Sequence, residues 1–495
     1  MTHSRLSISA LAALTAFPAA ADVTALDVWD TLRKMGEDSG MTVSVGGTET
    51  TADALVLTNV RYGLAAPEAS VTVHFDQMSF AEGGDGTVMG KTSDAPISIS
   101  FNDAESGALV ELVGVITLAS GESTYGGSPD ALSVAIAYPS AGFSIDNMTV
   151  DGEAVPLSVM ARLTSLNGAY EVLAGAPSRT VADYTVARVV FDMEVDIPEE
   201  ADGGGRIEID GVIEGMAVKS NAAVADMKAG TITEAFDATA DYTYDRTTYD
   251  IRAETPEGDF SVALKDGGGS LGLVIADGVA EYDVTSKDMS ASISSQGVPM
   301  PPIEFTIAEQ LGRVKIPLLP SADEREFGME LRLTGLQISD LLWSMVDPFG
   351  GMPHDPADIA LALSGTGKLS VNVFDPNFDP ETMNSAPGEL STLSLDDLLL
   401  RAVGVEVTAK GAVENKETNP LAMPKLAGGF DISAKGVQGL MATLGQMGML
   451  PAEQAGMVNM MLGMFAVPGA EPDSFTSRIQ ITEDGGILAN GQRVR

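Results

Sequence analysis

LSVAIAY, residues 132–138, alternates without interruption: Leu132, Val134, Ile136 and Tyr138 fall on one side of an extended chain, and Ser133, Ala135 and Ala137 on the other. A period of two is the strand pattern, and a strand apolar on one side belongs to an antiparallel sheet with one face covered. VTVHFDQ (71–77) repeats the pattern with Val71, Val73 and Phe75, and FDMEVDI (191–197) does so with Phe191, Met193, Val195 and Ile197. Glycine and acidic clusters punctuate such stretches at GGDG (83–86), DGGGSLG (266–272) and EDGG (483–486). They read as hairpin turns, so the chain is expected to form at least about fifteen strands. The predicted fold is a β-rich α+β fold: a large curved, mainly antiparallel sheet with a few apolar helices on one face.

The helices show a different period. Leu26, Trp29, Leu32 and Met35 stand at helical spacing before Gly40, which predicts a helix over Thr24–Ser39. Further helices are expected at SVMARLTSL from Ser158, SDLLWSMV from Ser339, VQGLMATLGQMGML from Val437 and AEQAGMVNMMLGMFA from Ala452. Pro451 separates the last two into a helical hairpin. A weak internal repeat places Gly335-Leu336-Gln337 on Gly436-Val437-Gln438, each following an alternating strand and leading into an apolar helix. Repeated strand-helix-strand units imply a sheet extended by addition. The stretches VPMPP (298–302) and PSADERE (320–326) mark the best boundary, giving a helix and β-rich region over 22–320 and strand-helix modules over 321–495.

The first residues address the compartment. Met1–Arg5 are basic, Leu6–Phe17 apolar and Ala19–Ala21 small. This is the order of a cleavable secretory signal over residues 1–21, cut between Ala21 and Asp22, and its apolar run is too short to remain as a membrane span. The expected location is a bacterial periplasm, with no integral membrane segment after processing. Asp plus Glu number 70 against 28 Lys plus Arg, a formal net charge of −42. Such a surface repels phosphate backbones, so nucleic acid is not an expected partner. The acidic runs DIPEEADGGG (196–205) and TEDGG (482–486) lack EF-hand spacing and read as turns.

The chain has no cysteine, which removes thiol nucleophiles, cysteine zinc sites and iron-sulfur ligation. Beyond the signal only His74 and His354 remain, one in the polar register of a strand and one in the turn MPHDP. GGSLG around Ser270 matches a nucleophile-elbow pattern, but LGLVIA follows where a helix is required. SGTGKLS (364–370) lacks the first glycine of a phosphate loop, and Leu369 stands where Ser or Thr would meet magnesium. No catalytic residue, metal ligand or cofactor is assigned. Met457, Met460, Met461 and Met464 form one helical stripe, expected to point inward as core or to serve as a lid over an apolar ligand together with Trp343 and Met441. Copper(I) would be the metal for thioethers, but no histidine is near.

SDLLWSMVDPFGGMPHDPADIALALSG, LGQMGMLPAEQAGMVNMMLGMFA, the terminal DGGILANGQRVR and the early VWDTLRKMGEDSGMTVSVG together resemble an uncharacterised alphaproteobacterial secreted family, domain of unknown function family twenty-one twenty-five. That family has no assigned activity. The C-terminal strand-helix modules are also similar at fold level to AsmA-like envelope proteins, and this likeness implies lipid handling along an apolar groove. The resulting expectation is an exported, non-enzymatic envelope protein whose sheet meets lipid or another envelope protein. An envelope hydrolase with unlocated carboxylates, or a structural protein with a closed core, are the alternatives.

Overall fold

The computed structural model describes residues 23–66, 69–103, 107–118, 120–175, 178–197, 204–223, 236–256, 258–297, 300–372, 388–417 and 425–494. The expected signal stretch with Ala21 and Asp22, residues 198–203 of the acidic run and Val298 and Pro299 lie outside them. The chain divides into two compact units, one holding Met1–Ala187 with Ser220–Lys228, the other Arg188–Lys219 with Ala229–Arg495.

The first unit opens with α1 (Ala25–Asp38) and continues through β1 (Thr42–Thr50), β2 (Ala54–Ala66), β3 (Ala69–Glu82), β4 (Val88–Thr92), β5 (Ala95–Asn102), β6 (Leu109–Thr117), β7 (Glu122–Ser128), β8 (Ala131–Val150), β9 (Glu153–Val155) and β10 (Leu157–Leu173). α1 begins where expected because Thr24 and Asp27 form a reciprocal capping box: the Asp27 N–H donates to Thr24 Oγ1 at 3.2 Å, and the Thr24 N–H to Asp27 Oδ2 at 3.0 Å. The Ala25 N–H reaches Glu82 Oε1 of β3 at 3.0 Å, tying the helix to the sheet. Val28 and Trp29 then bury against Leu57, Phe80, Leu132 and Val134, with Phe80 edge-on to Tyr125 at 5.8 Å. In β8 Leu132, Val134 and Tyr138 are buried, as their alternation requires.

The stretch from Ser158 is a strand, not a helix. Val159, Ala161 and Leu163 of β10 pair with Ile145, Phe143 and Ala141 of β8. Its burial alternates residue by residue, so pairing to a waiting strand overrides the local helical spacing of its apolar residues.

β11 (Arg179–Ile197) and β12 (Gly205–Ala223) each contribute residues to both units. The second unit then runs through β13 (Ala238–Tyr244), β14 (Arg246–Glu254), β15 (Phe260–Asp266), β16 (Gly269–Ala276), β17 (Val279–Ser295), β18 (Ile303–Pro317), β19 (Arg325–Ile338), α2 (Asp340–Val346), β20 (Ala357–Leu369), β21 (Gly388–Ala402), β22 (Val405–Asn415), β23 (Leu426–Lys435), α3 (Val437–Gln446), α4 (Ala452–Phe465), β24 (Val467–Pro468), β25 (Ser474–Ile481), β26 (Ile487–Ala489) and β27 (Gln492–Arg493). From β17 to β23 every strand pairs antiparallel with the next. The expected boundary at 320/321 is therefore internal to a hairpin, because β18 and β19 pair from Phe305 with Ile338 to Lys315 with Gly328.

DGGGSLG does not reverse the chain either. Thr247 pairs with Asp266 and Tyr244 with Gly269 in one unbroken register, and both β15 and β16 continue against β17. The glycines instead make a crease in mid-strand. Gly268 has φ +112, Asp288 of β17 has φ 51 and Gly335 of β19 has φ 70. They are neighbours across the sheet: a Cβ on Gly267 would sit 3.0 Å from Asp288 Cβ, and one on Gly335 2.9 Å from Ala308 Cβ. By contrast GGDG and EDGG are hairpin turns, closing Glu82 on Val88 and Ile481 on Ile487.

The repeat appears in the second unit as β19-α2-β20 and β23-α3-α4-β25. Gly436, like Gly335, is left-handed, with φ 76. Each is held by an aspartate: the Gly335 N–H donates to Asp358 Oδ1 at 2.9 Å, and the Gly436 N–H to the Asp473 carbonyl at 2.9 Å.

Candidate functional site: an uncovered apolar sheet face

Strand alternation in the second unit separates two chemistries. Register places Leu271 opposite Val284, Val284 opposite Gly312 and Gly312 opposite Leu331; the next row joins Leu273, Tyr282, Val314 and Met329. Leu361 and Leu363 of β20 extend these rows, followed by Leu398 and Leu395 of β21. All these side chains point to one face. On it Leu271, Tyr282, Val284, Val314, Ile316, Met329, Leu331 and Leu400 are each 39–44% exposed. Eight large side chains in that state leave on the order of 500 Å² of apolar surface in water, more than scattered surface residues account for. A Cβ added to Gly312, between Val284 and Leu331, would meet nothing within 4 Å.

The opposite face carries charge. Arg313 lies between Asp283 and Glu330, Arg332 joins Glu330 at 2.7 Å and Asp397 at 3.2 Å, and Lys410 stands 3.7 Å from Asp397. Exposed pairs of this kind are individually worth about 0–1 kcal/mol; their effect is to keep that face wet. An open hollow of about 740 Å³ follows these strands, with residues 271–274, 281–283, 313–315 and 328–330 in its lining.

One polar group interrupts the apolar side at the crease. Asp266 Oδ2 accepts from Tyr244 Oη at 3.0 Å and from Thr247 Oγ1 at 2.9 Å, while Asp266 Oδ1 accepts the Gly268 N–H at 2.9 Å. Burial, and then the Asp266 charge, push the Tyr244 phenol well above its ordinary range. Tyr242 stacks at a tilt beside Tyr244, 5.6 Å between ring centres. The carboxylate is thus fixed and occupied by donors, a positioning element for the fold of the strand.

The residues expected to line a lid lie at the helical end. Trp343 of α2 stacks on His354, with ring centres 4.1 Å apart. His354 Nε2 lies 3.2 Å from Asp347 Oδ2, and the buried Asp347 also accepts the Gly351 and Met352 N–H groups at 2.8 and 2.7 Å. Those backbone donors, Met352 foremost, hold its carboxyl below the usual carboxylate range. Met441 is half-buried in α3. Met457, Met460, Met461 and Met464 face solvent at 50–61% exposure, the reverse of the inward orientation expected. The half-buried side of α4 is instead formed by Ala455, Val458 and Leu462. Apolar side chains stand on both sides of this helix, and the side with Ala455 and Val458 is the one turned from solvent.

His74 lies on β3, its Nε2 3.8 Å from Asp76. His354 belongs to the Asp347 loop, and Ser270 bonds Thr285 at 2.7 Å across two strands. Among the described residues no group of three or more His, Cys, Asp or Glu is arranged to hold a metal. Among them, too, no helix is long and apolar enough to cross a membrane. The exposed rows were not singled out from sequence, although the alternation in LRLTGLQI and its neighbours carries their signal. Comparison with protein-family models, curated proteins and solved structures finds no match.

Proposed function

We propose that the chain is an exported, non-enzymatic envelope protein that carries an apolar ligand, of which a lipid acyl chain is the fitting class, on the uncovered face of its second unit. One observation carries the reading: large aliphatic and aromatic side chains, in register across neighbouring strands, stay about two-fifths exposed beside the open space over Gly312. A sheet face of this composition gains about 25 cal/mol for each Å² it covers, and an acyl chain, having no hydrogen-bonding demands, suits a surface that offers rows of methyl groups. The charged opposite face supports the reading by keeping that side in water. Export rests on the basic, apolar and small-residue order of Met1–Ala21, and the AsmA-like likeness of the strand-helix modules points the same way.

The test is lipid extraction and mass spectrometry of the purified mature protein. A reproducible lipid at fixed stoichiometry is expected in the parent and lost in Val314→Glu and Leu331→Glu, whose carboxylates face the rows. Equal lipid in parent and variants, or none in the parent, overturns the reading.

A further inference from the structure

We infer that the solvent-facing methionine stripe of α4, with the exposed end of α2, is a docking surface for a zwitterionic lipid bilayer. The inference rests on the acyl-carrying reading above and names the source from which the sheet face would be filled. β19 and β23 run in the same direction and lead into α2 and α3, so both helical segments emerge from one end of the sheet. A Cβ on Gly351, in the loop after α2, would be 3.3 Å from Thr443 of α3 and 3.8 Å from the sulfur of Met447 just after it, which places the two segments side by side. α4 follows α3 and returns to the sheet, where Ser477 donates through its hydroxyl to the Phe465 carbonyl at 2.5 Å. Ser477 pairs with Ile432, in the rows that Leu398 and Ala409 continue, so α4 ends against the apolar side.

Large apolar side chains dominate what these segments expose. Besides the four methionines they expose Met449 at the turn between α3 and α4, and Leu341, Met345 and Phe349 around α2, with Phe349 at 85%. α4 already turns one apolar side from solvent, and a helix apolar on its other side as well requires a second apolar contact.

Charge selects the occupant. From Gly436 to Ala470 the only ionisable side chain is Glu453, in a chain whose formal net charge is −42. The surrounding field repels anionic surfaces, and the patch adds the exposed carboxylates of Asp340 and Glu453 with no Lys or Arg in either helical segment, so it suits a headgroup layer without net negative charge. A specific protein interface brings about one hydrogen bond per 100–200 Å²; the stripe offers Glu453 and Gln454 only at its N-terminal end, one turn before Met457, and none of its own side chains from Met457 to Met464 is polar. Unbranched thioethers adapt to a partner without fixed shape, which describes lipid better than a folded surface.

The experiment is flotation of the mature full chain with phosphatidylcholine vesicles and with vesicles containing anionic phosphatidylglycerol. The parent is expected to float with the first and less with the second. The triple variant Met460→Gln, Met461→Gln, Met464→Gln should lose at least about tenfold in binding, while the triple Met→Leu variant at the same positions retains it. Because these side chains are exposed, Trp29 and Trp343 fluorescence is expected to stay unchanged; Phe349→Gln provides an independent variant on α2. Val314→Glu should float normally even as it loses carried lipid, which separates this surface from the sheet face. A parent that remains in solution, Gln variants that float like the parent, or a patch whose substitution instead dissolves a dimer seen by analytical ultracentrifugation would each overturn the inference.

Discussion

Replacing Gly268 by Ala tests whether the crease is imposed by the backbone. At φ +112 an L side chain costs about 1–3 kcal/mol before any contact is considered. The added Cβ would also stand 2.8 Å from the Asp245 carbonyl oxygen and 2.9 Å from that of Tyr244. Both are backbone atoms of a paired strand and have no rotamer by which to withdraw, so the total should be roughly 2–4 kcal/mol. Gly312→Ala is the internal comparison: its Cβ meets nothing within 4 Å, and a compatible Gly→Ala change stabilises by about 0.4–1 kcal/mol through the unfolded chain. The chain has two tryptophans, Trp29 in the first unit and Trp343 in the second. Urea unfolding followed by Trp343 fluorescence in a Trp29→Phe background therefore reads the second unit by itself. If Gly268→Ala unfolds at the same urea concentration as its parent, or if the two substitutions have equal effects, the crease is not a backbone requirement and the argument fails.

Phe80→Ala should destabilise the first unit by about 3–5 kcal/mol, since the ring is fully buried against α1 and edge-on to Tyr125; Trp29 fluorescence during urea unfolding measures it, and a shift confined to Trp343 would contradict the placement. Asp347 predicts an acid limb for the second unit. Its folded pKa lies below the ordinary value, so its contribution is present above the carboxylate range of the unfolded chain and is lost as pH falls through the folded value. Asp347→Asn should flatten that limb in Trp343-monitored acid unfolding, and an unchanged limb would mean that the loop bonds do not couple to stability.

Alternation made the sheet legible because burial on one side is enforced residue by residue: Leu132, Val134 and Tyr138 are buried as LSVAIAY implies. α1, α2, α3 and α4 were legible through spacing and caps, with Thr24 and Asp27 the clearest case. The crease was not, because a left-handed residue inside a strand and one inside a turn call for the same amino acids. DGGGSLG is written in the same letters as GGDG, and only register distinguishes them. The stretch from Ser158 failed for a related reason: its neighbour β8 decides its conformation, and a partner is not visible in nine residues. In α4 the sequence marked the methionines by size, whereas the side turned from solvent is the one with Ala455 and Val458. Which sheet face would stay uncovered depends on what does not fold over it, and alternation alone is silent on that.

The next-neighbour pairing from β17 to β23 has a bearing on how such a chain acquires length. Each strand finds its template in the segment made just before it, so assembly can follow the chain as it emerges, with few distant encounters to wait for. An inserted or deleted pair of strands restores both direction and facing, because two reversals cancel and the side-chain period is two. The span of the apolar surface can accordingly be lengthened or shortened by whole hairpins while every remaining row keeps its side. Growth of this kind needs no repacking of a closed interior, and excising β20 and β21 together should be better tolerated than excising either one.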